Sequence, residues 1–163
     1  MQISYLADHP EFVTTLASWF YAQWGFFLPG SAVETFVDRI RAHMNRDALP
    51  LALVAHAGAT LLGSASLRPH DMDNRPHLTP WLGGVYVEQN HRRQRIGATL
   101  AQAVEDKAKA LGCRVLYLFT FDKEAYYRTL GWDTLEPTEY RGHSVIVMQK
   151  RLAQPLVQST GGG

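Results

Sequence analysis

The ten residues HRRQRIGATL, 91–100, place three arginines and a histidine in five positions and then turn small at Gly97 and Ala98. Such charge at the head of a segment with helical spacing points to an anion. The first turn of a helix leaves its N–H groups unpaired and carries roughly half a positive charge, so a phosphate group is stabilised there. Arg92, Arg93 and Arg95 can add charge-assisted hydrogen bonds, while Gly97 and Ala98 let a ligand approach the backbone. A diphosphate fits this turn. The pattern GxxxxGK(S/T) is absent, which excludes a P-loop, and no GxGxxG follows the first strand, which leaves a dinucleotide fold unsupported. On spacing alone, a solvated basic turn and a weak nucleic-acid patch stay open.

The elements around this turn read as an alternation of strands and helices. A first strand is expected over 2–6. Asp8 and Pro10 then signal a helix reaching residue 23, with Phe12, Leu16, Trp19 and Phe20 on one face. After an aromatic loop at 24–30, Ser31 and Glu34 have capping-box spacing. They open a helix whose apolar stripe is Val33, Phe36, Val37, Ile40 and Met44. Two apolar runs around 56–59 predict a hairpin over 51–67. A polar loop, RPHDMDNRPHLTP, leads to a strand at 81–88 that contains Gly83 and Gly84, a pair that marks a bulge or a close approach. The helix from 96 carries Ile96, Leu100, Val104 and Leu111 near one face and stops at Gly112. A strand at 114–120, a short helix at 123–130 and a last strand at 144–152 complete a mixed sheet flanked by helices.

The chain has 163 residues, a formal net charge of +1, 46% hydrophobic and 19% charged residues. These values fit one globular domain over 1–152, with a disordered tail expected at 153–163. The balanced charge argues against nucleic acid as a partner. One cysteine, Cys113, allows no intrachain disulfide. The opening MQISYLADHP has no basic and then apolar leader pattern, and no apolar run is long enough to span a bilayer, so a cytoplasmic protein away from the membrane is expected. His70, His77, Asp71 and Asp73 share a proline-rich loop at spacings that match no standard metal site, and no metal is expected.

The run VYVEQNHRRQRIGATL, 85–100, resembles motif A of the GCN5-related N-acetyltransferases, the GNAT superfamily, whose pattern is Gln/Arg-x-x-Gly-x-Gly/Ala. Arg92 takes the first position and Gly97 the last, and Arg95 stands where the first glycine is usual. Downstream, AYYRTLGW at 125–132 and VIVMQK at 145–150 are similar to the family's Tyr-x-x-x-Gly-aromatic segment and its last strand. The resemblance runs in order from Leu51 to Leu152. It implies an α/β (α+β) fold with a mixed, mostly antiparallel sheet of about six or seven strands, flanked by about four helices and splayed at the fourth strand.

The resemblance also implies acetyl-CoA as cosubstrate. Its diphosphate would rest on Arg92, Arg93, Gln94, Arg95, Ile96, Gly97 and Ala98, with Thr99 at the edge. Its pantetheine would pair with Val85, Tyr86 and Val87 as an added strand, a slot that a bulge at Gly83 and Gly84 would open. Thr120 is a further pantetheine candidate, and Tyr126 is expected to face the core or line the cofactor channel. Tyr127 matches the family's general acid, which protonates the departing thiolate. The strand before motif A carries no carboxylate ahead of Glu88, which is expected to be solvated. That leaves Asp71, with His70 and Asp73, as candidates for the base or for amine recognition. Trp24, Phe27 and Trp81 are the expected acceptor walls, suited to a cationic amine.

The reading is an N-acetyltransferase that moves an acetyl group to a primary amine, either a small molecule or a peptide N-terminus, by direct attack in a ternary complex. A non-catalytic acyl-CoA sensor is the alternative. The chain is expected to be a monomer or a homodimer.

Overall fold

The computed structural model describes residues 1–153, so the expected tail lies outside the described residues from position 154 onward. Strand β1 (Gln2–Tyr5) leads through two short 3-10 turns into helix α1 (Val13–Trp24), and helix α2 (Val33–Arg41) follows. Next come β2 (Leu51–Ala57), β3 (Thr60–Arg68), β4 (Trp81–Val87), α3 (Ile96–Ala110) and β5 (Val115–Thr120). Helix α4 (Glu124–Thr129) precedes the closing hairpin of β6 (Asp133–Tyr140) and β7 (His143–Arg151). The seven strands form one sheet in the order β1-β2-β3-β4-β5-β7-β6. Every neighbouring pair is antiparallel except β4 and β5, which run parallel.

The alternation of side chains along β2 and β3 divides the core into two layers. Leu51, Leu53, Leu62 and Leu67 meet Ile96, Leu100, Val104 and Ala108 of α3 on one face. Ala52, Val54 and Leu61 meet Leu16, Phe20, Phe36, Val37 and Ile40 of α1 and α2 on the other. Each fully buried leucine there contributes about 1.5–3 kcal/mol by leaving water. A third cluster, of Met72, Leu78, Trp81, Tyr140, Val145 and Val147, continues the α1/α2 face beneath β5 and β7.

Three local expectations are corrected. The α-helix starts at Val13, because residues 6–8 and 10–12 form 3-10 turns ahead of it. The N-cap of α2 is Ala32, whose N–H donates to Thr35 Oγ1 at 3.1 Å, while the Ser31 hydroxyl turns away to Gly25 O at 3.3 Å. Strand β6 was not predicted. Its half-buried positions include Thr134, Glu136 and Thr138, so its inward face lacks the apolar alternation that marks a strand. It is an edge strand paired only with β7, which accommodates Pro137.

A buried ion pair ties the two halves together. Lys150 Nζ on β7 lies 2.6 Å from Glu105 Oε1 on α3 and donates to Leu130 O, at the end of α4, at 2.7 Å. The Glu105 side chain is only 4% exposed, so it depends on this partner. Lys150→Met strands a buried carboxylate and is expected to cost about 3 kcal/mol in urea unfolding, most of it recovered in the double variant Glu105→Leu/Lys150→Met. Equal stability of the single variant and the wild type would show that the pair does not hold α3 to β7.

Candidate active site

The parallel strands β4 and β5 share one register position, Trp81 with Tyr117, beside a hydrogen bond from Tyr117 N to Pro80 O at 3.1 Å. Beyond it they diverge, and β4 changes from buried at Trp81–Gly83 to half-buried from Gly84 to Val87. The expected bulge is present at this point. Ser64 pairs with Tyr86 and Ser66 with Gly83, so β4 spends one residue more than β3 over the same span. Gly84 takes φ +57°, a conformation that costs glycine little, and the Ser64 hydroxyl pins its carbonyl at 2.9 Å. The bulge turns β4 away from β5 and leaves main-chain groups near Val85 facing a slot.

At the same end of β4 stands the basic turn. Glu88 caps the short helical turn at 89–91, accepting from Asn90 N at 3.0 Å and from His91 Nδ1 at 2.7 Å, and the His91 bond lowers its pKa. It is thus a turn cap that stays open to solvent. Arg92 folds back, donating from Nε to Val87 O at 3.0 Å and lying 5.5 Å over the Tyr86 ring. Arg93 and Arg95 both take left-handed backbone, φ +66° and +63°, and Arg95 is the N-cap of α3. Arg95 therefore keeps the conformation that a glycine would adopt and adds a cation to it. No side chain caps α3. The first bonds within the helix run from Thr99 N and Thr99 Oγ1 to Arg95 O, at 3.0 and 2.9 Å. The N–H groups of Ile96, Gly97 and Ala98 precede that bond and remain open for an anion. A groove of about 450 Å³ continues along α3 past Ala98, Thr99 and Gln102 to Leu130.

Helix α4 closes the other side. The Tyr126 hydroxyl lies 3.3 Å from where a Cβ on Gly97 would stand, which places it against the first turn of α3. Tyr127 packs on the α3-side core with its ring 6.2 Å from that of Trp132. Burial, and secondarily Tyr126, raises the Tyr127 pKa well above the usual tyrosine value, so its hydroxyl carries its proton at neutral pH. The Trp132 indole N–H is buried nearby with no acceptor among the described residues. The slot and the open helix end fit an extended ligand with an anionic end.

The opposite face holds the loop residues. Arg68 Nη1 donates to Asp71 Oδ1 at 2.9 Å, and Arg68 Nε donates to His43 Nε2 at 3.0 Å. The guanidinium lies directly on the bulge. A Cβ on Gly83 would stand 2.8 Å from Nη1, and one on Gly84 would stand 2.8 Å from Nη2. Phe27 packs among Phe119, Phe121, Tyr140 and His143, with ring centroids 5.4–6.1 Å away.

The acetyltransferase (GNAT) family profile matches residues 13–132. The chain belongs to this family. GNAT enzymes use acetyl-CoA. No curated protein sequence matches the chain. Among solved structures, the chain is similar to an aminoglycoside 6'-N-acetyltransferase complexed with coenzyme A (20% identity, 95% of this chain and 99% of that one, TM-score 0.73). It is also similar to yncA, a putative acetyltransferase from Salmonella typhimurium with its cofactor acetyl-CoA (16% identity, 98% of each chain, TM-score 0.70). A third is a ribosomal-protein-alanine N-acetyltransferase from Brucella melitensis (21% identity, 93% and 100%, TM-score 0.69).

Within the GNAT frame, several predicted site residues fall elsewhere. Trp81 is fully buried, with its indole N–H bonded to Leu78 O at 2.7 Å, so it offers an acceptor no surface. Trp24 packs edge-on to Phe20 and Tyr86, apart from Phe27. The Thr120 hydroxyl accepts from Lys123 N at 2.9 Å and shapes the entry to α4. Asp73 is exposed, with its carboxylate 3.7 Å from Arg141, and His70 is exposed. Among the described residues no group of three His, Cys, Asp or Glu could hold a metal ion, and no helix is long and apolar enough to cross a membrane.

Arg68 and His43 escaped the sequence reading because three separate segments bring them to the bulge. The available signal was the period of β3, which puts Arg68 on one face with Ser64 and Ser66. His43 donates from Nδ1 to Arg39 O at 2.7 Å and accepts from Arg68 at Nε2, so it must be neutral. Burial, and then Arg68, lowers its pKa to about 4. The unfolded histidine titrates near its ordinary value, so this contribution to stability is complete above pH ~6.5 and is lost as pH falls toward 4. Unfolding free energies from urea titration are expected to fall between pH 6.5 and 5, by up to about 1 kcal/mol per pH unit from this group. His43→Gln should flatten that slope, and an identical slope in the variant would contradict the assignment.

Proposed function

We propose that this GNAT protein transfers the acetyl group of acetyl-CoA to a primary amine by direct attack within a ternary complex. The observation that carries this reading is the β4–β5 slot opening at the same end as the uncapped first turn of α3. One channel thus offers strand edge to a pantetheine and open N–H groups to a diphosphate. Arg93 and Arg95 add positive charge at that turn, and Arg92 braces the end of β4.

The donor supplies a thioester whose carbonyl carbon is open to attack. Main-chain N–H groups of β4 near Val85 stabilise the charge that grows on the carbonyl oxygen. A primary amine is mostly protonated at neutral pH, its pKa being near 10. Asp71 takes up its proton, since Oδ2 points at the bulge, 3.0 Å from the Cβ position of Gly83, while Oδ1 stays on Arg68. The C–N bond then forms and the C–S bond breaks. Tyr127 gives its proton to the departing sulfur and is reprotonated through solvent as the nitrogen sheds its second proton to give the amide, while Asp71 releases the first proton to solvent.

Thiol release from acetyl-CoA across a panel of primary amines tests this reading, with release expected on at least one class of amine. Tyr127→Phe should bind acetyl-CoA as the wild type does and turn over roughly 10²-fold more slowly. An unchanged rate in that variant would remove Tyr127 from proton transfer.

A further inference from the structure

Arg68 takes no part in the transfer chemistry above, yet it occupies the most constrained position on the acceptor face. Of its five N–H donors, Nε is spent on His43 and one on Nη1 is spent on Asp71. Nη2 has no acceptor among the described residues and lies over Gly84, 2.8 Å from where a Cβ would stand, with Phe20 Cζ and Ser66 Oγ each 3.3 Å from the same point. The Arg68 and Asp71 side chains are 22% and 17% exposed, so the pair is held in place and still partly open to solvent.

We propose that the acceptor is an α-amino acid, its carboxylate bound by Arg68 and its amine by Asp71. The inference rests on the acetyl-transfer reading and names its substrate class. An arginine and an aspartate side by side at 2.9 Å present one cation and one anion, the complement of a zwitterion whose amine and carboxylate are two bonds apart. A carboxylate meets the free edge of a guanidinium in the geometry where charge-assisted bonds are strongest.

The same face is poorly suited to a polycation. Asp73 and Glu136 already face Arg141 and Arg75, while Asp71 keeps Oδ2 off Arg68 and is placed for a single ammonium group. An aminoglycoside carries several ammonium groups and needs several such acids.

The test compares L-phenylalanine, L-phenylalaninamide and an aminoglycoside as acceptors in thiol-release kinetics, with acetyl-CoA affinity measured by calorimetry. Phenylalanine is expected to exceed the amide in kcat/KM by roughly tenfold or more, mainly through KM. Arg68→Met should erase that preference without changing acetyl-CoA affinity, and Arg68→Lys should keep part of it. Variant and wild type share the amines' own reactivity, so the change in ratio isolates Arg68. A wild type that uses the amide or the aminoglycoside as well as phenylalanine overturns the carboxylate site while leaving acetyl transfer standing. Arg68→Met with its preference intact also overturns it. Failure to bind acetyl-CoA, or no thiol release on any amine, would sink the transfer reading and this inference together.

Discussion

The molecule turns on one place where two parallel strands touch and then part. Main-chain groups of a sheet are normally paired, because an unpaired one in a buried setting costs free energy. Here β4 and β5 meet only at Trp81 and Tyr117. The half-sheets on either side hold themselves together through the β2–β3–β4 ladder and the β5–β7–β6 ladder. The gap can therefore stay open without loss of the fold. The extra residue in β4 starts the divergence, the buried Trp81 anchors its closed end, and α3 and α4 flank its open end. A second cavity, of about 620 Å³ and lined by Arg114, Gln149 and Arg151, lies at the other end of β5, away from this chemistry.

The basic turn shows how side-chain identity and backbone geometry can separate. Left-handed backbone at a non-glycine residue costs roughly 1–2 kcal/mol, and both Arg93 and Arg95 accept it. Arg95 preserves the turn that motif A requires and brings a guanidinium to the mouth of α3. Opposite it, Gly97 leaves room for the Tyr126 hydroxyl. The charge concentrated in HRRQR thus lines an open helix end, and Arg92 alone is drawn back to the strand.

Elements whose physics is local were legible in the sequence. The β2–β3 hairpin, α3 with its apolar stripe, and the Gly83–Gly84 bulge each follow from periodicity or from glycine. Elements set by distant partners were not. Strand β6 directs threonines and a glutamate inward, so only its pairing with β7 makes it a strand. Trp81 is expected as an acceptor wall, yet the loop at 69–80 brings Met72 and Leu78 over it. The bulge was foreseen as a gap for the cofactor. That it also seats the Arg68 guanidinium required β3, the end of α2 and the loop to be brought together.

The central claim is that acetyl-CoA lies in the β4–β5 slot with its diphosphate on the first turn of α3. Amide hydrogen exchange with and without acetyl-CoA tests it most directly, since the claim concerns particular N–H groups. Slowed exchange at Val85–Val87 and at Ile96–Ala98, with β1 and β6 unaffected, is the predicted result. Acetyl-CoA binding that leaves those amides unchanged would contradict the account.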